Sequence, residues 1–248
     1  FGPDELYHDG ELWHSFAHHG SFSDVSPERA LAAMNGAATA GTQALRQAGW
    51  VAITLGTAWV YERGGQVVAN CHKLPASQFS RRRMSVEDVV EVLGEAIRKH
   101  LAGKNIILTV SPIRHIKDGL AENARSKAIL IEAAHRICES NPRAEYFPAF
   151  EIVTDELRDY RFYGPDLVHP TAQTADYVWV RFRDATTDPA TREVMARVEQ
   201  LTSAASHRPL HPDTPSYQKF RAAMAAKAGA LAREYPEIDL TREIEFFG

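Results

Sequence analysis

Asn105-Ile106-Ile107-Leu108-Thr109-Val110, followed at once by Ser111-Pro112-Ile113-Arg114-His115, decides how this chain folds. Five of the first six residues are β-branched or aliphatic, and the run stops abruptly at a polar Ser-Pro. That pattern reads as a strand buried inside a sheet, with its polar cluster at the carboxyl end. Trp50-Val51-Ala52-Ile53-Thr54-Leu55, ended by Gly56, reads as a second strand buried on both faces, and Ala144-Glu145-Tyr146-Phe147-Pro148 as a shorter third with Glu151 beyond it. Helical patterns lie between them. One opens at Ser85, whose spacing to Asp88 approximates a capping box, and runs to about residue 101; the other covers about 122–139. Strands alternating with helices predict an α/β fold whose parallel sheet is covered on both sides and whose ligands sit at the carboxyl ends of the strands.

Working outward, the first 27 residues are rich in Gly, His, Asp and Ser and read as an irregular entry. Ser26-Pro27 starts an Ala-rich helix to about residue 47, with Pro at its first position. Trp59-Val60-Tyr61 and Gln66-Val67-Val68-Ala69, joined through Gly64-Gly65, read as a β-hairpin. Further helices are expected over about 171–182, 189–204 and 217–235. The expected organisation is an α/β domain over residues 1–206, a Pro-rich linker over 207–216, and a C-terminal helix and tail over 217–248.

With 248 residues, 44% of them hydrophobic, the chain can bury a full core. A net charge of −4 gives no electrostatic footprint for nucleic acid. No apolar run reaches the length of a membrane span. Two cysteines, Cys71 and Cys138, are too few for a disulfide framework and point to a reduced, cytoplasmic setting. The chain opens at Phe1 rather than Met, so a segment ahead of it, a signal peptide included, is compatible with this reading.

The sharpest candidate site is Asp166-Leu167-Val168-His169-Pro170, in a loop opened by Gly164-Pro165. A carboxylate three residues before an imidazole can take its Nδ1 proton, fix the tautomer and leave Nε2 as a base. The plainer reading is a surface histidine capped by Asp166. Gly56 permits close backbone approach and Thr57 offers a hydroxyl, so both are candidates to line an oxyanion. Cys71 and His72 are adjacent, and on an extended chain they point to opposite faces; Cys71 reads as a packed thiol, His72 and Lys73 as substrate contacts. Ser111, Arg114 and His115 place a hydroxyl, a guanidinium and an imidazole at a strand end. Arg114 can clamp a carboxylate or phosphate, or else form an ion pair with Asp118 or Glu151. His14, His18 and His19 near Asp9 and Asp24 suggest a metal site, but without the H-E-x-x-H spacing, and no metal or cofactor is assigned. Ser126-Lys127 reads as helix surface.

Several blocks in fixed order resemble the GSCFA domain family. They are Trp13 to Ser23 (W-H-S-F-A-H-H-G-S-F-S), Ile53 to Tyr61 (I-T-L-G-T-A-W-V-Y), Ala69 to Pro75 (A-N-C-H-K-L-P), Thr109 to Gly119 (T-V-S-P-I-R-H-I-K-D-G), Ser126 to Ala128, Tyr146 to Glu151 (Y-F-P-A-F-E), Asp155 to Tyr163 (D-E-L-R-D-Y-R-F-Y) and Asp166 to Pro170. The resemblance implies an SGNH-type hydrolase with a three-layer α/β/α, flavodoxin-like fold. It implies an esterase or acyl transferase acting on a small-molecule or glycan ester, with Asp166 and His169 as the catalytic pair. The Gly-Ser-Cys-Phe-Ala string that names the family is absent from residues 1–248. The expected serine nucleophile therefore lies upstream of residue 1, and the chain as numbered is expected to be inactive. Thr57 stands where such hydrolases place an oxyanion-hole Asn. The rival readings are a non-catalytic domain binding an anionic or sugar ligand through Arg114 and Lys73, and a metal-dependent hydrolase built on His14, His18, His19 and His169.

Overall fold

The computed structural model describes residues 1–206 and 209–248; His207 and Arg208, the first two residues of the expected linker, lie outside them. The chain divides into two compact units, Phe1–Val178 and Trp179–Gly248. In the first, β1 (Tyr7–His8) pairs antiparallel with β2 (Trp13–His14). Helix α1 (Pro27–Gln47) starts where Ser26 Oγ accepts the Arg29 N–H, as its N-cap sequence predicts. Strand β3 (Trp50–Leu55) leads into an antiparallel trio, β4 (Trp59–Arg63), β5 (Gln66–Val68) and β6 (Ser80–Arg83), in the order β5-β4-β6. The hairpin is the one the sequence predicts; β6 was not foreseen, because Arg81-Arg82-Arg83 carries no apolar alternation.

Helix α2 (Val86–His100) opens with Ser85 and Asp88 bonded reciprocally, a capping box with Asp in place of Glu. Then come β7 (Asn105–Val110), α3 (Leu120–Ser140) and β8 (Ala144–Phe147). Strands β3, β7 and β8 form a parallel sheet with β7 in the middle, in register Leu55↔Val110 and Leu108↔Tyr146. The short α4 (Ala149–Glu151) widens into a π-helical turn, Ile152–Leu157, and α5 (Ala172–Thr186) follows the loop that holds His169.

One face of the sheet carries Val51, Ile53, Leu55, Ile106, Leu108, Ala144 and Tyr146, and it packs against Val90, Leu93 and Ile97 of α2 and Ala134 and Ile137 of α3. Ile106 and Leu108 are fully buried there, each contributing about 1.5–3 kcal/mol of apolar burial. The expectation that β3 is buried on both faces fails. Trp50 is 58% exposed, and Ala52 and Thr54 on the same face are also exposed. The cause is topological: β3 is the sheet's edge strand, and α2 and α3 both cover its other face.

The second unit holds α6 (Pro189–Ser206), α7 (Pro215–Glu234) and α8 (Thr241–Phe247) around Leu201, Met224, Ala228, Leu231, Leu240 and Phe247. Arg197 of α6 reaches both carboxylate oxygens of Glu234 at 3.2 and 2.7 Å. Among the described residues, no helix is long and apolar enough to cross a membrane.

Candidate active site

The loop between the π turn and α5 is fixed from several sides. Gly164 and His169 join through a 2.8 Å backbone hydrogen bond, Leu167 N–H reaches Gly164 O at 2.9 Å across a turn with Pro165 at its second position, and Tyr163 bridges Pro170. Leu167 sits at φ 56°, a left-handed conformation costly for a branched side chain, so the surrounding bonds must hold it there. Asp166 is the hub. Its Oδ1 accepts the N–H groups of Val168 and His169 at 2.9 and 3.0 Å, and its Oδ2 lies 2.6 Å from His169 Nδ1. The hydrogen bond to His169, reinforced by the two backbone donors, pulls the Asp166 carboxyl down to about 2. Asp166 is thus ionised at any physiological pH and holds a proton on Nδ1. His169 Nε2 makes no hydrogen bond among the described residues, and the side chain is 64% exposed.

Arg114 ties this loop to the end of β7. Its backbone N–H donates to Val168 O at 3.2 Å and its Nη1 to Leu167 O at 3.1 Å, while its guanidinium lies 4.1 Å over the Tyr163 ring. The two ion pairs considered for Arg114 do not form, because Asp118 pairs with Arg81 and Glu151 accepts the Tyr146 hydroxyl at 2.9 Å. Ser111 Oγ accepts the Ile113 N–H at 3.2 Å, closing the turn after β7.

Helix α3 organises the floor, and its role was missed in the sequence. Gly119, at φ 86°, turns the chain into α3 in a conformation that favours glycine. Asn123, Ser126, Lys127 and Leu130 then fall at i, i+3, i+4 and i+7 on one helix face. Asn123 Oδ1 accepts the His115 N–H at 2.8 Å. Ser126 Oγ accepts the Ala58 N–H at 2.8 Å and meets Thr57 Oγ1 at 3.2 Å. Lys127, 1% exposed, donates from Nζ to Gly56 O and Ser111 O, both at 2.6 Å. One ammonium therefore clasps the carboxyl ends of β3 and β7. Burial pushes Lys127 down to about 8. The signal available in the sequence was the stripe itself: these polar residues extend the apolar face Leu130-Ala134-Ile137 by one turn.

His115 Nε2 stands over Gly56, 3.5 Å from where a Cβ would be. Desolvation first, then the charges of Lys127, Arg81 and His169, hold its imidazole below the usual histidine value. Gly56, Thr57, Ser111, Arg114, His115, Asp166 and His169 are thus linked by α3 and by Arg114 at the strand ends. His72 and Lys73 have other neighbours. Both adopt left-handed φ, 47° and 61°, and His72 Nε2 lies 2.7 Å from Ser15 O with its ring 4.7 Å from that of His14. The imidazoles of the metal reading are dispersed. His14 bonds Asp9 and Ser23, His18 approaches Ser15, His19 approaches Ser21, and His169 bonds Asp166. No group of three or more potential ligands forms among the described residues.

The profile of the GSCFA family matches residues 1–182, and that of the GSCFA domain protein C-terminal domain matches residues 198–248. The chain belongs to the GSCFA family. No curated protein and no solved structure matches it. The GSCFA match spans the strand ends, α3 and the Asp166–His169 loop, and the second match falls within the helical second unit.

Proposed function

We propose that this GSCFA domain is an SGNH-type hydrolase or acyl transferase, with a flavodoxin-like three-layer fold, acting on a small-molecule or glycan ester. The observation that carries the reading is the 2.6 Å Asp166–His169 pair, which fixes the tautomer and turns an unpartnered Nε2 outward beside the strand ends. In this reading the nucleophile is the serine of the Gly-Ser-Cys-Phe-Ala element, a string that residues 1–248 do not contain. His169 Nε2 takes the serine proton as Oγ attacks the ester carbonyl. The same proton passes to the leaving alcohol as the C–O bond breaks, and water or an acceptor hydroxyl then releases the acyl group. Groups at Gly56 and Thr57 face the developing oxyanion, and Lys127 keeps their strand ends in place.

A fluorophosphonate probe tests this on the natural full-length protein. Labelling of a serine that is lost in His169→Ala is the expected result. A full-length protein that stays unlabelled while folded rejects the hydrolase reading in favour of a non-catalytic binding domain.

A further inference from the structure

A cavity of about 200 Å³ opens beside the Asp166–His169 loop, lined by Arg114, Thr154, Arg158, Asp159, Tyr160 and Tyr163. We infer that it is a subsite for a compact oxyanion, a carboxylate or phosphate group of the substrate, clamped between the guanidinium groups of Arg114 and Arg158. The inference rests on the hydrolase reading for the word substrate, but the subsite stands on its own geometry.

Neither guanidinium forms an ion pair among the described residues, although 21 of the 28 Lys and Arg are arginines and many of those pair. Arg114 spends Nη1 on the Leu167 carbonyl and rests 4.1 Å from the centre of the Tyr163 ring, which leaves most of its five N–H donors for a ligand. The Tyr160 ring lies 5.6 Å from the same guanidinium. Arg158 reaches the cavity through an unusual backbone. The π turn Ile152–Leu157 ends in Arg158 at φ 47°, ψ 24°, with its N–H directed to Val153 O at 3.4 Å. π turns and left-handed non-glycine residues both carry a conformational cost and concentrate at functional sites. Thr154 has its hydroxyl bonded to Phe150 O at 2.9 Å, so it offers the cavity little. The one carboxylate on the wall, Asp159, is turned to Arg161, accepting its N–H at 2.9 Å with its Oδ2 3.7 Å from Arg161 Nε. Two guanidinium forks without a carboxylate partner, beside an acid that already faces Arg161, suit a planar or tetrahedral oxyanion. Arg114 also donates to the carbonyls of Leu167 and Val168, which ties the cavity wall to the loop that carries the proposed base.

The test is a titration of the full chain with inorganic phosphate and, separately, acetate, followed by backbone amide NMR shifts. Saturable shifts confined to residues 153–168, weakened about tenfold or more in Arg158→Gln, are expected. Arg158 carries the decision, since Arg114 also supports the loop. Saturation by phosphate alone assigns a phosphoryl group and by acetate alone a carboxylate; either supports the subsite. The control Arg136→Gln, which removes a cation paired on α2 and α3, must leave the affinity unchanged. Absence of saturable shifts with both anions overturns the proposal, as does equal weakening by Arg136→Gln. His169→Ala must keep the anion affinity. Retained binding with no fluorophosphonate labelling of the full-length protein strikes only the hydrolase reading, and labelling without anion binding strikes only the subsite.

Discussion

Asp9–His14 and Asp166–His169 are both carboxylate–imidazole pairs at hydrogen-bond distance, 2.9 and 2.6 Å, and their surroundings separate them. His14 has a side chain only 9% exposed, and both of its nitrogens are occupied, Nε2 by Asp9 and Nδ1 by Ser23 Oγ at 2.7 Å. Its ring is further packed between Tyr7 and His72, with centroids at 5.3 and 4.7 Å. His169 is held by one nitrogen only and presents the other to solvent. On paper the first set, Ser23–His14–Asp9, resembles a catalytic triad more closely than the second. Saturation of the ring and lack of access make it a clamp instead, fastening the segment around β2 to the Trp13–Asp24 bridge. A triad is recognised by a free, reachable nitrogen and not by three residue types at short distance.

Exchanging each imidazole for Ala gives the widest separation. His169→Ala should cut serine labelling of the full-length protein by a factor on the order of 10⁶, the scale of losing a triad histidine, while the urea midpoint moves little because the side chain is exposed. His14→Ala should do the reverse to stability, lowering it by about 2–3 kcal/mol through a lost buried hydrogen-bond pair and two ring contacts. A His14→Ala variant with unchanged unfolding would break the comparison. Asp166→Asn comes next. The amide Oδ1 can still accept the backbone N–H groups, but the side chain no longer takes the Nδ1 proton, so labelling should fall by a factor on the order of 10⁴ with the loop intact. The sign of the pH effect follows from the same bond. The Asp166 carboxyl is depressed from its ordinary 3.8 to about 2, so its contribution to stability is present above the ordinary value and is lost as pH falls through about 2. Asp166→Asn should remove that acid-limb loss.

Lys127 tests why the exposed pair sits on a firm base. Lys127→Met keeps the side-chain bulk and strands the carbonyls of Gly56 and Ser111, at an expected cost of about 2–4 kcal/mol read from the urea midpoint. Its charge has a separate signature. Burial lowers Lys127 from 10.5 to about 8, so between those values the unfolded chain binds more protons than the folded one. Stability should therefore rise with pH across that window, and the rise should vanish in Lys127→Met. A neutral amine still offers two N–H donors for the two carbonyls, which is why deprotonation relieves the burial cost without unfastening the strand ends.

The parts of this molecule legible in the sequence are those governed by local periodicity. β7, α2 and α3 were predicted within about two residues, since an aliphatic run fixes β7, a capping box opens α2, and helical periodicity marks α3. The Asp166–His169 hydrogen bond was legible for the same reason: both partners lie in one short loop. What the sequence withheld depends on distant partners. β3 has the composition of a doubly covered strand, yet its exposure is set by which sheet edge it occupies. Ser126 and Lys127 look like helix surface because their partners, Ala58, Gly56 and Ser111, come from other strands. Arg158 gave no signal, since the π turn that redirects it comes from no local motif.

The smallest expected effect is also the one that decides whether the buried set is a clamp. Ser23→Ala deletes the hydroxyl on His14 Nδ1 and leaves the imidazole its bond to Asp9. A single partly buried hydrogen bond of this kind contributes about 1 kcal/mol, so the urea midpoint should fall modestly. Labelling should not change at all. If Ser23 were a nucleophile, the ordering would invert, with stability nearly untouched and labelling abolished. Mapping the labelled serine in the full-length protein separates the two outcomes directly, because attachment at Ser23 would assign the chemistry to the N-terminal pair and leave Asp166–His169 as a capped surface loop.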